Sequence, residues 1–209
     1  YAQGGAEVSV GGNAVAIAQK TAYPWQGKVR ITVRPAQPVA FTLALRILGW
    51  CRGARLAVNG RRVALGPITR KGYARIARTW KRGDRVDLDM PMPVERVEAR
   101  PDVRMDCGRV ALQRGPVVFC LEQADNGPGL ERIALPRNAR ISARFDKGLL
   151  QGVVVLTATA KRLSARDWAP GQLYRPSRPR HETVRVRAVP YAVWANREPG
   201  EMVVWIREC

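Results

Sequence analysis

The sequence predicts an all-β protein built from two β-sandwich-type domains of antiparallel strands, with little helix. Three observations carry this. Apolar and polar residues alternate with period two along several runs. Turn residues punctuate those runs at roughly 8–12-residue spacing, as in sandwiches. No window of about 11 residues or more shows an apolar stripe of helical period with caps at its ends.

The elements follow in order. Val29, Ile31 and Val33 alternate with Arg and Thr, and Phe41, Leu43, Leu45 and Ile47 repeat the pattern. Such a strand has one dry and one wet face. Asn59-Gly60, between Leu56-Ala57-Val58 and Arg61-Arg62-Val63, is a type I′ hairpin signal, because both central positions of that turn need positive φ. Lys81-Arg82-Gly83-Asp84 is the next turn. It links Ile76–Trp80 to Val86–Met90, where Val86, Leu88 and Met90 alternate with Asp87 and Asp89. Pro91, Pro93 and Pro101 then interrupt the sheet pattern and place a boundary near residue 100, giving domains 1–100 and 101–209.

The second half opens with Gly108–Asn126. Two apolar runs, Val110–Leu112 and Val117–Leu121, flank a break at Arg114-Gly115-Pro116. Asn126–Gly129 is a loop, Gly152–Ala160 a fully buried strand, and Pro170–Arg180 a long surface loop. Glu182–Val189 and Met202–Ile206 are the last strands, with a return of 202–206 to the first sandwich as the alternative topology.

A chain of 209 residues can bury roughly 70% of its unfolded surface, so it needs no disulfide or metal to hold a core. No apolar run approaches the roughly 20 residues of a membrane span. The N-terminus lacks the basic and apolar regions of a signal peptide. A cytoplasmic location with no membrane partner is therefore expected, and the start at Tyr1 suggests a piece of a longer protein.

Charge is the compositional outlier: net +19, pI near 11.2, with 36 Lys and Arg against 17 acids. No acid lies between Glu7 and Asp84, while 15 Lys and Arg do. A nucleic-acid-binding protein is one reading of this. A solvated surface in an Arg- and Ala-rich sequence is the preferred one. The arginines sit at strand spacing, and no RNP, KH or zinc-finger pattern accompanies them. No specific nucleic-acid partner is expected, though non-specific adhesion to polyanions is.

Few residues suggest chemistry. Cys51, Cys107, Cys120 and Cys209 have none of the close pair spacings of a metal site. Cys120, inside an apolar run, reads as a buried thiol, and a Cys107–Cys120 disulfide as the less favoured alternative. One histidine, His181, leaves no multi-histidine site. Closely spaced carboxylates, the residue type of a glycosidase pair, occur at Asp87/Asp89, Glu95/Glu98 and Glu122/Asp125. The first two pairs read as solvated strand or turn acids, and the third as a strand exit followed by an Asp-Asn turn. Ser9, Ser142, Ser164 and Ser177 occupy no nucleophile elbow. The glycines form no phosphate loop. Trp25, Trp50, Trp80, Trp168, Trp194 and Trp205 could stack on sugars, but burial in a core or an interface is the better reading of each, with Trp205 in the core and Trp50 exposed or plugging a corner. The residues thus nominate no catalytic, metal or cofactor ligand, and leave any substrate-binding residue unknown.

Four blocks nevertheless resemble one family. They are Thr21–Trp25 with Gly27-Lys28-Val29; Phe41–Leu43 with Arg46–Cys51; Val110–Asn126; and Pro190-Tyr191 with Trp194–Arg197, Pro199–Met202 and Val204–Ile206. In this order they resemble the C-terminal β region of glycoside hydrolase family 127, the β-L-arabinofuranosidase-like proteins. The resemblance implies the middle and C-terminal β domains of a multidomain enzyme. Its catalytic (α/α)6 barrel would then be the partner of this chain. In that family a zinc ion, held in the barrel by cysteines and a glutamate, activates a cysteine nucleophile. The barrel's cysteine-pair motif has no counterpart here, so the resemblance implies no catalytic or zinc residue in this chain, which alone would be inactive. The expected function is that of a non-catalytic accessory portion of such a hydrolase of non-reducing-end β-L-arabinofuranosides. The alternatives are a stand-alone binder of arabinose-containing glycans and the basic nucleic-acid-binding protein.

Overall fold

Val29, Ile31 and Val33 face a dry interior while Arg30 and Arg34 stay in solvent, and the same alternation organises most of the chain. The computed structural model describes residues 1–209 as two units, Tyr1–Pro93 and Val94–Cys209.

The first unit holds nine strands: β1 (Gly4–Val10), β2 (Asn13–Thr21), β3 (Lys28–Pro35), β4 (Val39–Arg46), β5 (Arg55–Val58), β6 (Arg61–Val63), β7 (Thr69–Arg70), β8 (Tyr73–Trp80) and β9 (Asp84–Asp89). They form a six-stranded sheet, β1-β2-β3-β9-β5-β6, and a three-stranded sheet, β4-β8-β7. All of their pairings are antiparallel. The inward positions of both sheets make one core that includes Val29, Ile31, Leu56, Val86 and Leu88 from the first and Leu45, Ile76 and Trp80 from the second. Trp80 is fully buried, its ring centroid lies 5.6 Å from that of Phe41, and its indole Nε1–H donates to the Phe41 carbonyl at 3.0 Å. The polar end of the largest core side chain is thereby satisfied. Gly27 permits a close approach of β3 and β9: an added Cβ would overlap the Met90 carbonyl oxygen.

The two turns read from the sequence are joined to each other. Asn59 takes φ 51° and Gly60 φ 79°, the left-handed pair of a type I′ turn. The Asn59 side-chain amide donates to Asp84 at 2.7 Å and accepts the Arg85 N–H at 2.8 Å, while the other Asp84 oxygen accepts the Lys81 N–H at 2.9 Å. Burial by itself would raise the Asp84 carboxyl. The Lys81 N–H, the Asn59 amide and the nearby Arg78 charge outweigh it and bring the group below its usual value.

The second unit contains β10 (Val94–Val97), β11 (Arg109–Arg114), β12 (Val117–Glu122), β13 (Ile133–Leu135), β14 (Ser142–Asp146), β15 (Val153–Leu163), β16 (His181–Pro190), β17 (Met202–Val203) and β18 (Ile206–Glu208). Its sheet runs β11-β18-β13-β15-β16-β12, and β12 pairs again with β11, so the sheet closes on itself. Closure removes edges that would otherwise be open to pairing. Only the short β13–β18 pair is parallel. Leu112, Leu121, Ile133, Leu135, Leu156 and Ala188 line its interior.

Three placements differ from the sequence reading. The division falls at Pro93/Val94 rather than near residue 100, because Val94–Val97 pairs with Arg114–Ala111 of β11. The flanking prolines mask this strand. The final strand does not return to the first sandwich: Met202 and Val203 pair with β12, and Ile206 and Arg207 with β11. The run is also two short strands, and Trp205 between them is half-buried rather than in the core. Helix is confined to single turns at Leu65–Ile68 and Gln123–Asn126 and to three short 3-10 turns, and none is long and apolar enough to cross a membrane.

The Asp84 geometry predicts an acid-sensitive first unit. The folded-state value lies below the unfolded one, so the stabilisation is present above about pH 4 and disappears as pH falls further through the folded value. Between pH 5 and 3, buffer values chosen to bracket that about-4 carboxylate range, the urea midpoint of the parent should drop more than that of Asp84→Asn. Equal drops would assign the acid sensitivity to other groups.

Candidate functional site

The densest polar cluster of the second unit forms where β12 ends. Glu122 is the last residue of β12, and the one-turn helix Gln123–Asn126 follows it. Opposite stands the segment after β16: a 3-10 turn, Tyr191–Val193, then Trp194–Glu201 leading into β17. Arg197 joins the two. Its guanidinium pairs with Glu122 Oε2 and binds Asp125 at 2.9 Å and 2.6 Å. The Glu122 and Asp125 side chains are each 7% exposed, and that of Arg197 19%. Glu122 Oε1 accepts the Ala195 N–H at 2.8 Å, and Asp125 Oδ1 also receives Arg187 at 3.4 Å. Arg187 continues to Asp146 at 2.5 Å. Hydrogen bonds donated to Asp125 and Glu122 hold the Arg197 guanidinium firmly protonated, raising its pKa against the opposing effect of burial.

Backbone groups complete the cluster. Asn126 behaves as an extra strand residue, donating to the Glu122 and Arg187 carbonyls and accepting the Arg187 N–H at 2.9 Å. Gln123 and Glu201 bond reciprocally, Gln123 N to Glu201 O at 2.9 Å and Glu201 N to Gln123 Oε1 at 3.1 Å. The Glu201 carboxylate accepts the Gly129 and Leu130 N–H groups at 2.9 and 2.7 Å, and these two donors pull its pKa down.

This arrangement does not suit acid–base catalysis. All four oxygens of Glu122 and Asp125 are already engaged by Arg197, Arg187 or Ala195. A glycosidase pair needs two carboxyl groups in different environments facing an open sugar site. Surface grooves of about 560 Å³ beside Lys20, Lys28 and Asp87, about 450 Å³ beside Trp168 and Arg178, and about 370 Å³ beside Arg55 and Leu65 include neither acid.

The remaining candidates are scattered. Asp87 pairs with Arg30 and Arg85, and Asp89 with Arg55, on a wet strand face. Glu95 lies in β10, and Glu98 is exposed beyond it. His181 is exposed at the start of β16. Ser164 bonds Glu182 locally at 2.8 Å, and Ser9, Ser142 and Ser177 are exposed. Of the tryptophans, Trp80 is core, Trp25, Trp50 and Trp168 are half-buried, and Trp194 is 41% exposed.

The cysteines do not fit a zinc set. No three His, Cys, Asp or Glu side chains converge. The four thiols are free, and Cys107 follows a 3-10 turn instead of standing on a strand beside Cys120. Burial pushes the Cys120 thiol up to about 12, with Glu122 adding to the rise, so at neutral pH it is protonated and lacks the thiolate a metal or a nucleophilic mechanism needs.

The sequence reads Glu122 and Asp125 as a strand exit followed by an Asp-Asn turn and gives neither Arg197 nor Arg187 a role beside them. The usable signal was positional: Glu122 and Asp125 lie in the third of the four blocks and Arg197 in the fourth.

Comparison with known proteins agrees with this picture. Residues 94–207 match the glycoside hydrolase family 127 C-terminal domain, and residues 1–92 match the β-L-arabinofuranosidase, GH127 middle domain. A non-reducing end β-L-arabinofuranosidase of Bifidobacterium longum subsp. longum is 37% identical over 201 residues, which is 91% of this chain and 30% of that protein. The crystal structure of a GH127 β-L-arabinofuranosidase from Geobacillus stearothermophilus T6 superposes with a TM-score of 0.96 at 51% identity, covering 100% of this chain and 33% of the other. A further GH127 β-arabinofuranosidase structure gives 0.87 at 32% identity, covering 98% and 33%. The chain thus spans about a third of the length of the relatives it matches.

Two measurements check the cluster. Arg197→Met removes the cation shared by two buried carboxylates, leaving Asp125 only Arg187 at 3.4 Å and Glu122 only the Ala195 N–H, and should cost about 3–5 kcal/mol in urea unfolding of the second unit; a loss below about 1 kcal/mol would mean that the cluster is not a lock. In a thiol-reagent titration of the native chain, exposed Cys107 and Cys209 should react quickly and Cys120 only after unfolding. Fast labelling of Cys120 would contradict its burial.

Proposed function

Because the chain belongs to glycoside hydrolase family 127 and supplies its middle and C-terminal β domains, we propose that it serves a longer hydrolase of non-reducing-end β-L-arabinofuranosides, seated on a catalytic (α/α)6 barrel of the same polypeptide. Its own role is that of a non-catalytic accessory portion. The observation that carries this is the state of Glu122 and Asp125. They are the best-buried acid pair of the second unit, and every one of their oxygens is bound by a neighbouring donor. An acid or base must reach its proton across an open hydrogen-bonding distance in a site that admits substrate. Here that access is closed.

The zinc expected in this family belongs, in this reading, to the barrel. The cysteines of this chain are dispersed, and its buried thiol is held protonated. What the chain supplies is rigidity: a two-sheet sandwich and a closed sheet, each with its own core.

Turnover of a chromogenic β-L-arabinofuranoside tests the reading. The chain alone should release no arabinose, and the longer polypeptide that contains it should. Turnover by the chain alone would overturn the accessory role. A longer polypeptide inert toward every β-L-arabinofuranoside would overturn the parent activity.

A further inference from the structure

We propose that the stacked Tyr191–Trp194 pair is the surface through which the second unit docks on the catalytic barrel, and that the Glu122–Asp125–Arg197 cluster is the device that presents it; this rests on the accessory reading above. The two rings lie 6.3 Å apart at 18°, stacked with their planes nearly parallel. Tyr191 is 44% exposed and Trp194 41%. Val118, on the same side of β12 as Cys120 and Glu122 by strand alternation, adds further exposed apolar surface at 37%. Large aromatic side chains grouped on a surface are the usual anchors of protein interfaces.

The rings are not exposed for want of order. Trp194 N–H donates to the Tyr191 carbonyl at 3.2 Å, and the Asn196 amide nitrogen donates to the Val193 and Trp194 carbonyls at 3.2 and 3.3 Å. Ala195 adopts φ 58°, a left-handed conformation costly for a residue with a Cβ, and the Glu122 carboxylate holds its N–H there. Arg197 then fixes the far side of the loop. A buried ion cluster is a poor source of net stability but a good way of fixing one arrangement. Here it holds two rings outward that a free loop would fold down onto its own sheet.

The polar surroundings favour a protein partner. A sugar platform needs side chains beside the rings to bond the hydroxyls. The Asn196 amide nitrogen faces its own backbone, and Arg197 is engaged by two acids. That engagement also removes the cation a nucleic acid would need at this face. The occupant that the comparisons supply is the rest of the polypeptide, since the relatives are about three times as long as this chain.

Hydroxyl-radical footprinting read by mass spectrometry tests this directly. Tyr191 and Trp194 should oxidise readily in the chain alone and be protected several-fold in the longer polypeptide. Equal oxidation in both, with another surface of the chain protected, would sink this surface and leave the accessory reading standing. No protection anywhere would sink the accessory reading itself. Protection of the rings in the chain alone, whether by arabinose-containing oligosaccharide or by raised protein concentration, would assign the face to a sugar or to a second copy and overturn the proposal. As a second arm, Tyr191→Ser with Trp194→Ser should leave the thermal midpoint of the chain alone unchanged and lower that of the longer polypeptide; an unchanged midpoint there would also count against docking.

Discussion

Arg197 faces two carboxylates in a place where water can barely reach them, and the second unit is arranged around that fact. Taking three charges out of solvent is unfavourable unless the charged groups find partners. The fold gives all four carboxylate oxygens a donor, from distant parts of the chain: Arg197 and the Ala195 N–H from one side and Arg187 from β16 behind them, while both terminal nitrogens of Arg197 are engaged and its Nε is left without a partner. The condition is also directional. A guanidinium donates to two carboxylates only in its own plane, which constrains the position of the loop that carries Arg197. β17 can therefore pair with the end of β12, and Gln123 and Glu201 can bond reciprocally beside it. Glu201 in turn caps the turn that begins at Gly129.

The first unit uses the same logic on a smaller scale. Its two turns, the β5–β6 hairpin and the β8–β9 connection between the two sheets, are independent in the sequence, yet Asp84 sits between them and bonds both. Two loops tied by one carboxylate fix β5 and β9 in register at that end, where Val58 lies opposite Val86. Trp80 does the equivalent inside the core, since its indole N–H reaches a carbonyl on β4 and so fixes how deeply the ring enters. In both units a hydrophobic interior supplies the driving force, and a few satisfied polar groups select one arrangement from those the interior would accept.

The strands were legible because their signal is local. Period-two alternation needs only neighbours in sequence, as in Val29–Val33 or Val86–Met90, and Asn59-Gly60 carries its turn type in its own backbone preferences. The buried thiol of Cys120 was legible for the same reason. Val94–Val97 was not, because prolines on either side imitate a linker and its partner strand lies beyond them in the sequence. The cluster was illegible for a deeper reason. An acid after a strand looks solvated unless its cation is known, and Arg197 is 72 residues from Asp125. Sequence periodicity reports which face of an element is dry; it does not report which distant charge will make an acid buriable.

The same distinction explains the charge of the chain. Many of its arginines lie on the wet faces of strands, and some of these pair with acids in exposed, solvent-screened geometry, as Arg30 and Arg85 do around Asp87. Pairs of this kind contribute little individually and mark no ligand site. Arg197 differs only in being buried between two acids, and there one arginine determines the course of a loop. The functional weight of a cation in this protein is therefore set by its desolvation and not by the total. A large positive balance spread over exposed arginines marks no site by itself, while a single internal cation fixes the course of the loop that carries Tyr191 and Trp194.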